Sequence, residues 1–378
     1  MRLVKREIRI LLHHPIYVLC MVVLPLFMTV FFTSLMSEGQ PLSMPVGIVD
    51  LDQTSTTRKL TRMLDGMQNS RVVAHYQSEA EARHAMQQGE IYGFLLFPQE
   101  LTHDLLSGRQ PKMSLYYSNT SLTAGALLYK DMKTVCMLGS AAVGSATMKA
   151  HGYTDKQVMA FLQPISIDTH TVGNPWVSYN IYLSTMLVPG SFLLFVFLLT
   201  AYSLGTETKF NTQGEWLDMA GGNIWKAVAC KFFPQTIVFL VVFLLCLSYM
   251  FGILRFPAPG GVWRLLLLGA LSVVAAQGFA LFIFGLVPSL RMSMSICSLW
   301  SVLSFSMVGS AFPVFAMDAP LQSLAWLFPL RHYYMIYQLC IFNDYPLHDA
   351  MPHILMLLFF ALLPLTVIKR IGKYQYIP

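Results

Sequence analysis

Residues 46–56 read "VGIVDLDQTST": an apolar, β-branched run that ends abruptly in Asp50, Asp52, Thr54 and Ser55. Branched apolar residues suit a strand. Asp, Ser and Thr are the residues a chain needs to turn and then cap a helix. The stretch is therefore read as a strand entering a helix, and "STTRKLTRMLDGM" continues it with apolar residues at helical spacing. The same alternation recurs downstream. "RVVAHY", "IYGFLLF" and "MSLYY" read as strands, and "SEAEARHAMQQG" and "PQELTHDLLSG" as helices. Ser78 followed by Glu81 is a capping-box signal, and glycines 66, 89 and 108 are helix stops. Strands alternating with helices imply a small α/β domain over 44–176 with a largely parallel sheet. A long helical region, "SLTAGALLYKDMKTVCMLGSAAVGSATMKAHG", leads away from it.

The rest of the chain has a different character. Of 378 residues, 55% are hydrophobic and 12% charged, and the mean hydropathy is +0.55. A soluble protein carries about 25% charged residues, so this composition points to a bilayer. A net charge of +6 over this length gives nucleic acid no footing. The cysteines (Cys20, Cys136, Cys230, Cys246, Cys297, Cys340) stand singly, without a CxxC or zinc spacing, and read as apolar fillers.

Crossing the hydrocarbon core takes roughly 20 apolar residues in a helix. The stretches 16–36, 181–204, 233–254, 265–288, 293–316 and 350–370 qualify. The fifth is the least apolar: its serines suit helix–helix contact better than lipid contact. The first is too long and too weakly terminated for a cleaved signal peptide. Arg2, Lys5, Arg6, Arg9, Lys209, Lys226, Lys231, Arg291, Lys369, Arg370 and Lys373 lie in alternate loops, against Arg255, Arg264 and Arg331 in the others. That bias places both ends, the 205–232 loop and the 371–378 tail in the cytoplasm, and 37–176 outside. Residues 1–15 mix cationic and apolar residues around a helix, as an interfacial amphipathic collar does. Tyr179, Tyr182, Trp263, Trp326, Tyr333, Tyr334 and Tyr374 fall near span ends like an aromatic belt.

The opening stretch resembles the first motif of the haloacid-dehalogenase phosphatases, which would make Asp50 the nucleophile, Asp52 the general acid/base and Thr54 the following threonine. That family also needs a positioned lysine and a further acidic pair for magnesium. No acidic pair with suitable spacing follows in this domain, and nothing selects among Lys112, Lys130 and Lys133. The aspartates are read as caps. His348, Asp349 and His353 lack the spacing of a helical ligand pair and read as wet loop residues. No GxxxxGK[ST] occurs, so the chain has no P-loop of its own.

The whole chain resembles the type-2 ABC exporter permeases, in the six-span group with an extracytoplasmic domain between spans one and two. The resemblance rests on the order of several loose motifs. "KREIRILLHHPIYVLCMVVLPLF" is similar to the family's collar and Pro-containing first span, with Lys5, Arg6, Glu7 and Arg9 in the collar. "VGIVDLDQTSTTRKLTRML" is similar to the family's opening of the outer domain. "AMQQGEIYGFLLFPQELTHDLLSGRQPKMSLYYSNTS" follows its pattern of Gly before a strand and Pro after it. "ETKFNTQGEWLDMAGGNIWKAVACKF" resembles the coupling helix that docks on the ATPase, matching at Glu207, Thr212, Glu215, Leu217 and Lys231, with Trp216 beside them. Asn211, Gly214 and Gly221-Gly222 depart from that pattern. "AFPVFAMDAPLQSLAWLFPLRHYYMIYQ" resembles the family's re-entrant hairpin, placed over 312–335, with Pro313, Pro320 and Pro329 breaking the helix.

The expected fold is an α-helical polytopic membrane protein, six transmembrane helices plus a re-entrant hairpin, with an inserted small α/β extracytoplasmic domain. The resemblance implies an exporter permease of the bacterial inner membrane that binds no cofactor itself and uses ATP through a separate ATP-binding subunit. A second permease chain, identical or a sister, and a periplasmic adaptor are further partners. Charged residues fall almost wholly in loops, which favours apolar or amphipathic cargo (drug, lipid or hydrophobic peptide) over proton coupling. A membrane-anchored phosphohydrolase and a non-transporting scaffold are the alternatives.

Overall fold

The computed structural model describes residues 2–107, 109–165, 168, 170, 174 and 177–372. Gly108, Lys373, Tyr374 and most of the expected 371–378 tail lie outside the described residues. The chain divides into two compact units, Met1–Ser37 with Val172–Pro378, and Glu38–Thr171.

In the Glu38–Thr171 unit, four strands, β1 (Met44–Asp50), β2 (Ser70–Tyr76), β3 (Gly93–Phe97) and β4 (Ser114–Tyr117), form one sheet in the order β2-β1-β3-β4. β1 pairs in parallel with β2 and β3, and β4 closes the edge antiparallel to β3. Side chains alternate across β1, as the two-residue period of a strand requires. Val46 and Ile48 pack with Leu60, Leu64, Leu128 and Met132 from helices Ser55–Asp65 and Leu122–Ala150. Val49 points the other way, to Ala82 and Ala85 of Glu79–Gln88. Ser78 Oγ caps that helix by accepting from Glu81 N at 3.2 Å, and Gly89 ends it at φ +80°, a left-handed turn that a side chain resists.

The opening stretch is built as a turn. Asp50 Oδ1 accepts from the amides of Asp52 and Gln53 at 3.1 and 2.8 Å, and its Oδ2 accepts from Thr57 Oγ1 at 2.7 Å. Asp52 Oδ2 accepts from the hydroxyls of Thr54 and Thr102 at 2.9 and 2.6 Å. The N-cap itself is Thr54, in a reciprocal box with Thr57. The aspartates thus brace the turn and leave the capping to the threonine, a refinement of the expectation that they cap directly.

The other unit is helical. Among the described residues, five helices are long and apolar enough to cross a membrane: Pro15–Leu35, Tyr179–Lys209, Ile224–Ile253, Val262–Leu286 and Leu347–Ile371. The first accommodates Pro25 through a π-helical stretch, Leu19–Val23, immediately before it. Proline lacks an N–H and collides with the carbonyl four residues back, and a widened turn relieves both. Val262–Leu286 comes close to Met351–Leu362: a methyl group on Gly278 would lie 2.4 Å from Phe360 O.

The expected span 293–316 is corrected. An α-helix covers Leu290–Met307, roughly 27 Å at 1.5 Å per residue, and stops before Gly309, which sits at φ +94°. Its buried serines turn inward; the hydroxyls of Ser293 and Ser304 bond back to the carbonyls of Ser289 and Trp300. Close packing replaces apolar length here: a methyl on Gly190 would meet Phe305 at 2.4 Å. The 312–335 segment consists of a 3-10 turn, Val314–Ala316, and helices Ala319–Ala325 and Pro329–Ile336. Pro313, Pro320 and Pro329 each stand at or beside a helix start, where a missing N–H costs nothing.

His353 is not a wet loop residue. It is buried, and its Nδ1 lies 2.9 Å from Nδ1 of His332, whose Nε2 meets Trp326 O at 2.8 Å. A carbonyl only accepts, so His332 donates through Nε2 and its Nδ1 accepts from His353. His348 and Asp349 pair separately at 3.0 Å in exposed positions.

Candidate functional site

The expected 205–232 loop is shorter than its sequence suggests. The helix before it runs on to Lys209 and the helix after it begins at Ile224, leaving a connection that holds the short helix Gln213–Met219. Glu207 and Lys231 are therefore helical and inside, 3% and 1% exposed. Polar residues can extend an apolar helix into the protein only if their charges find partners.

Those partners come from the amino-terminal helix Arg2–His13, whose buried stripe is Leu3, Glu7 and Leu11. Spacing of four places these on one face. The stripe packs on the Ile224–Leu247 helix and brings an acid to Lys231. Lys231 Nζ donates to Glu7 Oε2 at 3.0 Å and to Glu207 Oε1 at 2.8 Å. Arg6 grips Glu207 through both terminal nitrogens at 2.9 Å each, and reaches Glu7 Oε1 at 2.6 Å. Such a two-pronged guanidinium–carboxylate pair fixes orientation as well as charge. Burial works against the charge of Arg6, and its hydrogen bond and attraction to Glu207, with Glu7 beside it, more than offset that and raise its pKa above the usual value.

The loop helix is tied to the same cluster. Thr212 Oγ1 donates to Glu207 Oε2, and Trp216 N donates to Thr212 O at 3.0 Å. Lys231 Nζ stands 5.7 Å from the centre of the Trp216 ring, within cation–π range. Gln213 Nε2 donates to Ile371 O at 2.6 Å, adding the last described helix. Two cations and two anions thus close one knot that joins the amino-terminal helix, the loop helix and the long helices on either side of it.

This arrangement corrects part of the sequence reading. Glu207, Trp216 and Lys231 were expected to face a partner; they are buried, Trp216 to 1% exposure, because they fill and neutralise the base of the loop. Arg6 and Glu7 likewise turn inward rather than outward. Lys5, Arg9 and Glu215 are exposed, and Thr212 and Leu217 are half-buried. The apolar surface the loop does present is Phe210, Met219 and Trp225, at 66%, 50% and 44% exposure. Sequence reasoning passed over all three, although a Phe and a Met flanking a polar turn were visible. It also missed the role of Glu7, whose signal was an acid in the middle of an apolar Leu-x₃-Glu-x₃-Leu stripe.

Long apolar helices knotted by buried charge define a multi-pass membrane protein. A family model described as "ABC-2 family transporter protein" matches residues 15–368, and the chain belongs to that family, the membrane subunits of ABC transporters. Members are not themselves enzymes and normally work with an ABC ATP-binding subunit. Comparison with curated proteins found no match.

Proposed function

We propose that this chain is the permease of an ATP-driven exporter, working as a pair with an identical or sister chain above two separate ATP-binding subunits. The reading takes Leu290–Met307 as a sixth span and 312–335 as a re-entrant hairpin. Residues 2–13, the 210–223 connection and Lys369–Arg370 face the cytoplasm, and the Glu38–Thr171 unit faces the other side of a bacterial inner membrane. The charge asymmetry of the flanks supports that orientation.

The observation that carries the coupling reading is the closed knot around Lys231. A push on the loop reaches the amino-terminal helix and two long helices at once, because all four contribute to one set of bonds. Moving a two-state permease from one strongly favoured state to the other takes about 5.5 kcal/mol of differential binding. A single exposed ion pair supplies under ~1 kcal/mol, so the dock must be a surface. The exposed Phe210, Met219 and Trp225, with the exposed acids Glu215 and Asp218 on the same connection, would supply that surface.

Cargo is apolar or amphipathic in this reading: a drug, a lipid or a hydrophobic peptide. Glu7 and Glu207 are the acids buried beside the long helices, and each is bonded to cations, which suits a structural knot rather than a proton relay. A periplasmic adaptor completes the scheme on the far side. Export is tested by adding ATP and a fluorescent lipid or drug to the outside of inverted membrane vesicles, where the cytoplasmic face is exposed. Accumulation that needs both ATP and this chain supports the proposal; accumulation without either contradicts it.

A further inference from the structure

The Glu38–Thr171 unit contains a cavity of about 540 Å³ in its own right, between helices Ser55–Asp65, Leu101–Leu106 and Leu122–Ala150 and the connection at Gln110–Met113. Small-molecule sites typically occupy roughly 300–1,000 Å³ and are apolar with a few placed polar groups. Two other large depressions differ in kind: they run along Leu12–Val23, and along Leu198 with Met294–Val302, on faces of long apolar helices. A third, among Thr33, Ser34, Ser178, Asn180 and Arg255, lies at helix ends and is lined mostly by polar residues.

Its floor is apolar: Leu60, Met63, Leu101, Leu105, Met113 and Val143. At the mouth stand Lys59 and Arg109. Lys59 is exposed and has no acidic partner among the described residues. Arg109 is loosely paired with Asp104 at 3.5 Å. Two cations against one anion leave one positive charge beside an apolar bowl. Ala142 and Ala146 present only methyl groups along the long helix's wall of the bowl, while Gly139 lets that helix close on Leu60, where a methyl would lie 2.7 Å from Leu60 Cδ2.

We infer that this cavity binds a single-chain anionic amphiphile, a carboxylate on one alkyl chain, with the head at Lys59 and Arg109 and the chain on the floor. A doubly charged head would exceed the local positive charge, and an uncharged one would leave it unused. The inference goes beyond export and does not rest on it: a ligand would bind here whether or not the chain transports it.

The test uses the full chain in phosphatidylcholine nanodiscs, irradiated with a diazirine-bearing hexadecanoate and digested for mass spectrometry. Adducts should fall on the floor residues and saturate with probe concentration. Ala142 is exposed, so Ala142→Trp fills the bowl without opening a core, and it should abolish those adducts. The double variant Lys59→Ala/Arg109→Ala should raise half-saturation about tenfold, the worth of a charge-assisted bond. The matching hexadecanol probe should label the floor far less than the acid does. Adducts confined to the long apolar helices, labelling that Ala142→Trp leaves intact, or equal capture of acid and alcohol would overturn the inference.

Discussion

Lys231 shows how one side chain can decide a local structure. It is 1% exposed, donates to two carboxylates, and lies against an indole ring. Replacing it with methionine keeps most of the volume and leaves Glu7 and Glu207 sharing Arg6 alone. Stripping one member from a buried ion cluster typically costs about 3–5 kcal/mol. We predict that Lys231→Met lowers the thermal unfolding midpoint of the purified chain, and that adding Glu7→Gln recovers part of the loss. Strictly additive losses in the double variant would mean the two residues do not share an interaction. Asp50 is a contrasting case, since its oxygens brace a turn. Asp50→Asn retains an acceptor for the two amides, and the Thr57 hydroxyl can reverse to accept from the new amide. Transport should survive it. Loss of all activity with the fold intact would return the aspartate to a chemical role, because a covalent mechanism cannot proceed without its nucleophile.

The loop helix Gln213–Met219 divides its residues between two jobs. Trp216 holds the helix down, and truncating a buried aromatic to alanine costs about 3–5 kcal/mol. Trp216→Ala is therefore expected to lower stability first and ATPase association as a consequence. Phe210→Ala and Met219→Ala remove exposed surface. They should reduce copurification of the ATPase while leaving the unfolding midpoint unchanged, as anchors at an interface do. A loss of stability in these two, or none in Trp216→Ala, would contradict the division. The elements that sequence made legible are those whose cause is local. Five apolar runs were long enough to read directly, and "VGIVDLDQTST" carried its own turn chemistry. What escaped depended on distant partners. Glu207 and Lys231 looked like loop residues because the acid and the arginine that shelter Lys231 and Glu207 lie 224 and 201 residues away. Trp216 looked like a surface anchor for the same reason. His353 looked solvated because nothing near it in sequence announces His332. The Leu290–Met307 helix was misjudged in extent, since serines that pack inward and apolar residues that face outward give no clean hydropathy boundary.

At the scale of the whole molecule the account depends on which side of the membrane each segment occupies. A cysteine at Ser78 should react with an impermeant thiol reagent in intact cells, and one at Gly372 should not; the opposite pattern would end the proposed orientation. The central claim is that the 210–223 connection, knotted through Lys231 to the amino-terminal helix, is where an ATP-binding subunit drives this permease. It is tested most directly by purifying the chain from its native membrane and measuring the ATP hydrolysis that accompanies it, in the wild type and in Phe210→Ala/Met219→Ala. The account predicts that a P-loop ATPase copurifies with the wild-type chain and hydrolyses ATP, and that the double variant, stably inserted and with its normal unfolding midpoint, loses most of that partner and its activity. An ATPase that stays bound and fully active on the double variant, or a wild-type chain that brings no ATPase with it, would contradict it.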